Sequence, residues 1–247
     1  MFQNNLLMAA AANASGGAVV IPSVKFDGSN DYMRMTSDPM ADGALGTVSF
    51  WIKFNGGNGA SQSLWCSQGT YFLIQRPATN ILEITGYTSS ASQILYIKST
   101  GTILSDGGWH HVVASWNQTS QTQHFYLDGV EDKNPSGGIN SAGVIDYTRG
   151  THTLGAFQDA SQKINADIAQ FYLTTEFIDL SNATNLAKFI TTDGTPVDMG
   201  SDGATPTGTA AKLFFNSALD SWHTNDGTGG GMTEYGALTA GSEPVEL

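Results

Sequence analysis

The alternation of apolar and polar positions along the chain is typical of β-strands. In residues 47–54, apolar side chains occupy every second position, with Thr47, Ser49 and Lys53 between them. A period of two places the apolar set on one face of a strand and the polar set on the other. Residues 109–116 are apolar at both parities, which predicts a central strand covered on both faces. The same criteria predict further strands at residues 71–75, 81–85, 94–98, 124–127, 164–174 and 211–216.

Turn residues separate these segments, for example at Gly56-Gly57, Gly107-Gly108 and Asp128-Gly129. The chain holds 29 glycines in 247 residues, and only 13% of its residues are charged. Many short strands with frequent glycine turns indicate an all-β sandwich and argue against alternating strands and helices. A mass of 26.1 kDa is enough for one sandwich with additional segments at its ends.

Four of these segments carry a pattern that extends beyond periodicity. They are Val-Lys-Phe-Asp-Gly-Ser-Asn-Asp-Tyr at 24–32, Ser-Phe-Trp within 47–54, Trp-His-His-Val at 109–112 and Tyr-Leu-Asp-Gly at 126–129. In this order and spacing they resemble the laminin-G-like, concanavalin-A-like lectin family, over about residues 19–175. The resemblance implies an all-β jelly-roll β-sandwich. It specifies function less well, because this fold occurs in lectins, glycanases, pentraxins and structural modules.

The chain divides into three predicted regions. Residues 1–18 form an N-terminal arm, residues 19–175 the lectin-like sandwich, and residues 176–247 a Gly/Thr-rich, acidic, β-rich C-terminal extension. A short helix is predicted near residues 182–189. Leu213, Phe214 and Trp222 indicate that the extension packs on the sandwich or on a neighbouring chain, because a linker would not carry large apolar side chains.

The N-terminal arm is apolar and uncharged. Residues 6–12 could form the apolar part of a signal peptide, but residues 1–5 carry no Lys or Arg, which favours an arm. An apolar arm ahead of a compact domain needs a surface that buries it. This requirement is a first indication of a homo-oligomer.

The net charge of −12 lies mostly in residues 176–247, which contribute −8. An acidic chain without a basic patch is a poor candidate for binding nucleic acid or an anionic membrane surface. No segment approaches the ~20 apolar residues of a membrane helix. The single cysteine, Cys66, excludes an intrachain disulfide framework and favours folding in a reducing cytoplasm.

Residues 193–210 and 222–231 carry a second resemblance. The patterns DG.PVD.G.DG..PTG.A and WHTN.GTGGG are similar to a block that follows lectin-like sandwiches in structural proteins of tailed bacteriophages. This resemblance implies a non-enzymatic virion protein on the capsid or tail surface, of decoration or fibre type. Other virion proteins would be its partners, and it would be made in the host cytoplasm. The alternative function is a glycan-binding module for adhesion to the host envelope.

Glycan hydrolysis is the least favoured function. Retaining glycanases need two carboxyl groups ~5 Å apart. None of the six glutamates has a second acid two residues away on a predicted strand. The neighbouring His110 and His111 would point to opposite faces of a strand, so they would not share a metal ion. The sequence therefore predicts a protein without catalytic residues.

Two candidate binding sites remain. Asp27, Asn30, Asp31 and Asp167 could supply oxygen ligands to Ca²⁺ where the first and last strands meet; alternatively, the turn residues bond their own backbone. Four aromatic residues in or near loops could stack on a sugar, although nothing in the sequence separates them from core aromatics. These four are Tyr87, Tyr96, Tyr147 and Trp222.

Overall fold

The computed structural model describes residue 19 and residues 21–244, so the predicted arm, residues 1–18, lies outside the described residues. The described chain is all-β. Its first eight strands are β1 (Ser23–Asp27), β2 (Tyr32–Met35), β3 (Leu45–Phe54), β4 (Gln62–Ser67), β5 (Phe72–Arg76), β6 (Glu83–Tyr87), β7 (Gln93–Lys98) and β8 (His110–Asn117).

The second half of the chain contains the remaining strands. They are β9 (Thr122–Leu127), β10 (Val130–Glu131), β11 (Ile139–Asn140), β12 (His152–Leu154), β13 (Asn165–Thr174), β14 (Leu213–Phe215), β15 (Thr233–Tyr235) and β16 (Thr239–Ala240). One helical turn, α1 (Ala183–Leu186), and two 3₁₀ turns, Gln68–Thr70 and Leu219–Ser221, complete the described secondary structure. Among the described residues, no helix is long and apolar enough to cross a membrane.

Two antiparallel sheets form the sandwich. Sheet A has the order β10-β9-β8-β3-β13-β1-β16, and β14 also pairs with β13. Sheet B has the order β11-β7-β6-β5-β4-β12-β2-β15. In both sheets, strands distant in sequence are neighbours, as in a jelly roll, and the fold class predicted from the sequence is confirmed. The core lies between the sheets, where Phe50 of sheet A stacks on Phe171 and Phe171 stacks on Trp65 of sheet B.

The predicted strands largely match the observed ones. β8 lies between β3 and β9, and its six central residues are buried, so the prediction of a strand covered on both faces is confirmed. The strand predicted at 81–85 begins two residues later than expected. The reason is local, because the Leu82 amide donates to the hydroxyl of Ser99 and not to a neighbouring strand.

β13 carries a bulge and also pairs with the C-terminal extension. The register with β3 shifts between Ala169 and Tyr172. Gln170, between them, has a φ of 48° and donates through its side chain to the Val197 carbonyl. Before the bulge β13 pairs with β1, and after it β13 pairs with β14. Residues 213–215 thus pair with the part of β13 that lies beyond the end of β1.

The extension contributes to both sheets and covers the outer face of sheet A. β15 pairs with β2 of sheet B, and β16 pairs with β1 of sheet A. A second buried cluster joins outward-facing side chains of sheet A to the extension; it contains Val113, Tyr126, Tyr172, Ile178, Leu180, Phe189, Met199, Ala211 and Phe214. Therefore a large part of the outer face of sheet A is closed to solvent.

Candidate functional site

Three tyrosines lie on the outer face of sheet B, at strands β5 to β7. Tyr71 precedes β5, Tyr87 ends β6 and Tyr96 lies in β7. The neighbours of Tyr96 in the chain, Leu95 and Ile97, are buried in the core, so the alternation of the strand turns Tyr96 outward. All three tyrosines are partly exposed. We call Tyr71, Tyr87 and Tyr96 the tyrosine platform.

Backbone pairing holds the platform together. The Tyr87 amide donates to the Tyr71 carbonyl at 2.8 Å, which places the two rings edge to face with centroids 6.3 Å apart. Tyr96 lies opposite Thr85, two residues before Tyr87 on β6. The platform therefore spans three adjacent strands and rests on main-chain hydrogen bonds, which makes it a rigid surface.

A carboxylate lies beside the platform. Glu83 accepts a hydrogen bond from the Tyr96 hydroxyl at 2.6 Å and another from the Gln75 side chain at 2.9 Å. Burial, together with this hydrogen bond to Glu83, raises the pKa of Tyr96 to about 12. Tyr96 consequently remains a neutral donor at physiological pH. Each Glu83 oxygen keeps a further lone pair that can accept a hydrogen bond from a ligand.

Arg149 closes one end of the platform. Its guanidinium lies 3.6 Å from the centroid of the Tyr71 ring, and its Nη1 pairs with Asp146 at 2.8 Å. Asp146 is buried, so this ion pair fixes the position of the arginine. The platform thus combines aromatic rings, a carboxylate and a cation on one face.

The structure divides the four predicted glycan-binding aromatics into two groups. Tyr87 and Tyr96 are in the platform. Tyr147 and Trp222 are buried in the core, so their prediction as glycan-binding residues is wrong. The Tyr147 hydroxyl accepts from the Trp116 indole at 3.0 Å, and Trp222 packs against Phe215 with centroids 5.4 Å apart. Neither ring has a face that a sugar could reach.

Sequence reasoning missed Tyr71 and Arg149. Tyr71 was available as a signal, because it begins the strand predicted at 71–75 and shares its parity with Gln75. No signal in the sequence indicated Arg149, because it lies in the loop before β12 and reaches Tyr71 only through the tertiary fold.

The predicted calcium ligands in the turn bond their own backbone. Asp27 Oδ1 accepts from the amides of Ser29, Asn30 and Asp31, at 2.7, 3.1 and 3.4 Å. These bonds, led by that from Ser29, lower the pKa of Asp27. Asp31 accepts from the amides of Asp27 and Ala237, while burial raises its pKa. The alternative in which these carboxylates order the turn is therefore favoured.

Asp167, the fourth predicted calcium ligand, bonds groups outside the turn. It lies opposite Lys25, whereas Asp27 lies opposite Asn165. Its oxygens accept from the Asn55 side chain at 2.7 Å and the Ser242 amide at 2.9 Å, and Lys53 is 3.6 Å away. Across the described part of the chain, no three His, Cys, Asp or Glu side chains are grouped closely enough to hold a metal ion.

We expect Asp31→Ala to destabilise the protein by about 1–3 kcal/mol, because two backbone amides lose their acceptor. The loss should be the same in calcium and in chelator, as measured by thermal melts in both conditions. Asp31→Asn keeps one oxygen acceptor and is the matched control. A melting temperature of the wild type that rises with calcium, with no rise in Asp31→Ala, would restore the calcium site.

Comparisons with known proteins agree with this architecture. Residues 27–176 match the family described as the concanavalin A-like lectin/glucanases superfamily. Neuronal pentraxin-1 of the rat and of the mouse are each 25% identical over 150 residues, which is 57% of this chain and 33% of the relative. The chain thus spans about a third of the length of these curated relatives.

Solved structures share the fold at low sequence identity. A heptameric SAP-like pentraxin from Limulus polyphemus superposes with a TM-score of 0.51 at 16% identity, covering 68% of this chain and 82% of its own. A candidate carbohydrate-binding protein from Bacteroides ovatus superposes with a TM-score of 0.63 at 12% identity, covering 91% of this chain and 60% of its own. With the family match over more than half of its length, the chain belongs to the concanavalin A-like lectin/glucanases superfamily.

Proposed function

We propose that this protein is a glycan-binding module and that the tyrosine platform is its binding surface. The observation that carries the proposal is the combination of three partly exposed tyrosines with Glu83 on a sandwich face that the extension does not occupy. Aromatic rings offer flat apolar surface to the C–H face of a sugar, and a few fixed polar groups bond its hydroxyls. The likeness to a candidate carbohydrate-binding protein supports the same function.

We propose that the binding is not followed by catalysis. Hydrolysis of a glycosidic bond uses two carboxyl groups on either side of the scissile bond. The residues opposite Glu83 on the two neighbouring strands are Gln75 and Lys98. Glu83 therefore has no acidic partner in the adjacent positions, and its role is to accept hydrogen bonds.

Substitutions on the platform test this proposal. An array of bacterial surface polysaccharides would identify a bound glycan, and calorimetry with that glycan would measure affinity. We expect Tyr87→Ala and Tyr96→Ala each to weaken binding at least about tenfold, or ~1.4 kcal/mol, through loss of a stacking face. Tyr96→Phe keeps the ring and tests the hydroxyl separately.

Tyr235→Ala is the matched control for these variants. Tyr235 is an exposed tyrosine of the edge strand β15 of sheet B. It stacks on Tyr32 of the neighbouring strand β2, away from β5 to β7. We expect it to bind the glycan with wild-type affinity. Equal losses in Tyr235→Ala and Tyr96→Ala, or no loss in either, would contradict the proposed platform.

We also propose that the module is a surface protein of a tailed-bacteriophage virion, on the capsid or tail, assembled as a homo-oligomer with other virion proteins. The observation that favours this context is the block of residues 193–210 and 222–231. The block is tightly folded, because Gly203 has a φ of 72° and a Cβ there would lie 3.0–3.1 Å from Ala211 and Phe214. The pentraxin from Limulus polyphemus that shares the fold is heptameric, which supports the proposed homo-oligomer.

In that context, the platform would contact a glycan of the host envelope. Immunogold labelling of purified particles of the virus that encodes the chain should place it on the capsid or the tail. Particles that lack the chain would contradict the virion role and leave the glycan measurements unaffected.

A further inference from the structure

A groove with apolar walls lies on the sandwich, apart from the tyrosine platform. Its volume is about 460 Å³, and it runs between the β9–β10 turn and residues 183–194. Val130, Leu186 and Ile190 form apolar walls, with Asp128 and Asp193 also lining the groove. Val130 is 68% exposed, so this wall of the groove faces solvent. We call this feature the hairpin groove.

The described part of the chain begins next to this groove. A small apolar cluster contains Ile21, Trp51, Ala169 and Ile190, and Val19, Trp109 and Leu186 pack against it. Leu186 and Ile190 belong both to this cluster and to the groove. Val19 is the first described residue. The preceding segment therefore starts beside the groove.

Two buried donors in the same place need an acceptor. The indole N–H groups of Trp51 and Trp109 are buried and have no hydrogen-bond partner among the described residues. An unpaired buried N–H costs about 1–3 kcal/mol, so such groups normally find an acceptor. Backbone carbonyls of a segment that crosses the cluster would supply one.

We propose that residues 6–12 of the same chain occupy the hairpin groove. These residues are Leu-Leu-Met-Ala-Ala-Ala-Ala, and residues 1–18 contain no charged side chain. The uncharged arm can approach Asp128 and Asp193 without electrostatic repulsion. The seven peptide units that join Ala12 to Val19 span up to ~25 Å when extended, which is ample reach.

Cysteine cross-linking in the full-length chain tests this proposal. Cysteines are placed in turn at Leu6, Leu7 and Met8, each combined with Val130→Cys at the groove. The native Cys66 stays in place, because burial raises the pKa of its thiol to about 12 and makes it unreactive. The matched control combines each arm cysteine with Ser90→Cys, an exposed position in the β6–β7 turn.

We expect at least one groove pair to form an intrachain disulfide at least about tenfold more than its Ser90 control, because a docked arm has a high effective concentration. Non-reducing electrophoresis with peptide mapping measures the yield. Equal yields in groove and control pairs would overturn the proposal. A covalent dimer linked through Val130→Cys would place the arm of a neighbouring copy in the groove and would also overturn it.

Discussion

Replacing Trp222 with alanine should destabilise the protein by about 3–5 kcal/mol, which is among the largest effects of a single substitution. The Trp222 ring is fully buried and packs edge to face on Phe26, with centroids 6.2 Å apart, and on Phe215. Phe26 belongs to β1 and Phe215 to β14, so the ring joins the first strand of the sandwich to the extension. Its removal would leave a cavity at this junction. Chemical denaturation measures the loss.

Trp222→Phe is the control, because it retains an aromatic ring in the same space and should cost less than the alanine variant. Trp222 was predicted from the sequence as a sugar-stacking residue, and the two roles give opposite results. A stable Trp222→Ala protein that no longer binds its glycan would contradict the buried position. A destabilised protein whose folded fraction binds normally would agree with it.

Phe50→Ala should also cost about 3–5 kcal/mol. Phe50 lies at the middle of β3 and is fully buried, with its ring stacked on Phe171 of the adjacent strand at 6.1 Å. The substitution removes apolar area and leaves a cavity between the two sheets, where the surrounding strands are held by their hydrogen bonds and can relax little. The free energy of unfolding from denaturant titration gives the measurement.

Val144→Ala is the control for this prediction, because Val144 is 52% exposed and the change should lie within about 0.5 kcal/mol. A loss below about 1 kcal/mol for Phe50→Ala would mean that β3 has the opposite parity. Such a result would also place Ser49 of β3 on the core side of the sheet. In the structure, Ser49 points away from the core and hydrogen-bonds His111 of β8 at 2.9 Å.

These predictions and the platform address different parts of the molecule. Trp222 and Phe50 test the sandwich and the attachment of the extension, whereas Tyr87 and Tyr96 test the surface. The distinction matters because loss of folding also abolishes binding. A platform variant is informative only when its stability equals that of Tyr235→Ala.

The strands, the sandwich fold and the turn at residues 27–31 depend on local pattern and could be predicted from the sequence. The alternation in residues 47–54 predicted which side of β3 faces the core, and Phe50 and Ile52 are indeed buried. The landmarks at 24–32 and 109–112 predicted the sandwich, because each family landmark lies within one strand and its turn. The turn alternative for Asn30 and Asp31 was also visible, since Asp and Asn bond backbone amides a few residues away.

The environment of a side chain whose contacts are distant in the chain depends on the tertiary structure and could not be predicted from local pattern. Arginine is a residue type usually found at the surface, yet Arg76 is buried. Its guanidinium lies 3.8 Å from the Phe54 ring centroid, and burial lowers its pKa to about 10. Tyr147 and Trp222 lie near loops but fill the core.

Long-range contacts also determine which outer face of the sandwich remains exposed to solvent. The extension packs on the outer face of sheet A, and β14 pairs with β13 beyond the end of β1. The platform on sheet B consequently stays accessible. Local periodicity determines the side of its strand to which a side chain points. Which face of the sheet remains in solvent depends on the segments that pack on it, and these are long-range contacts.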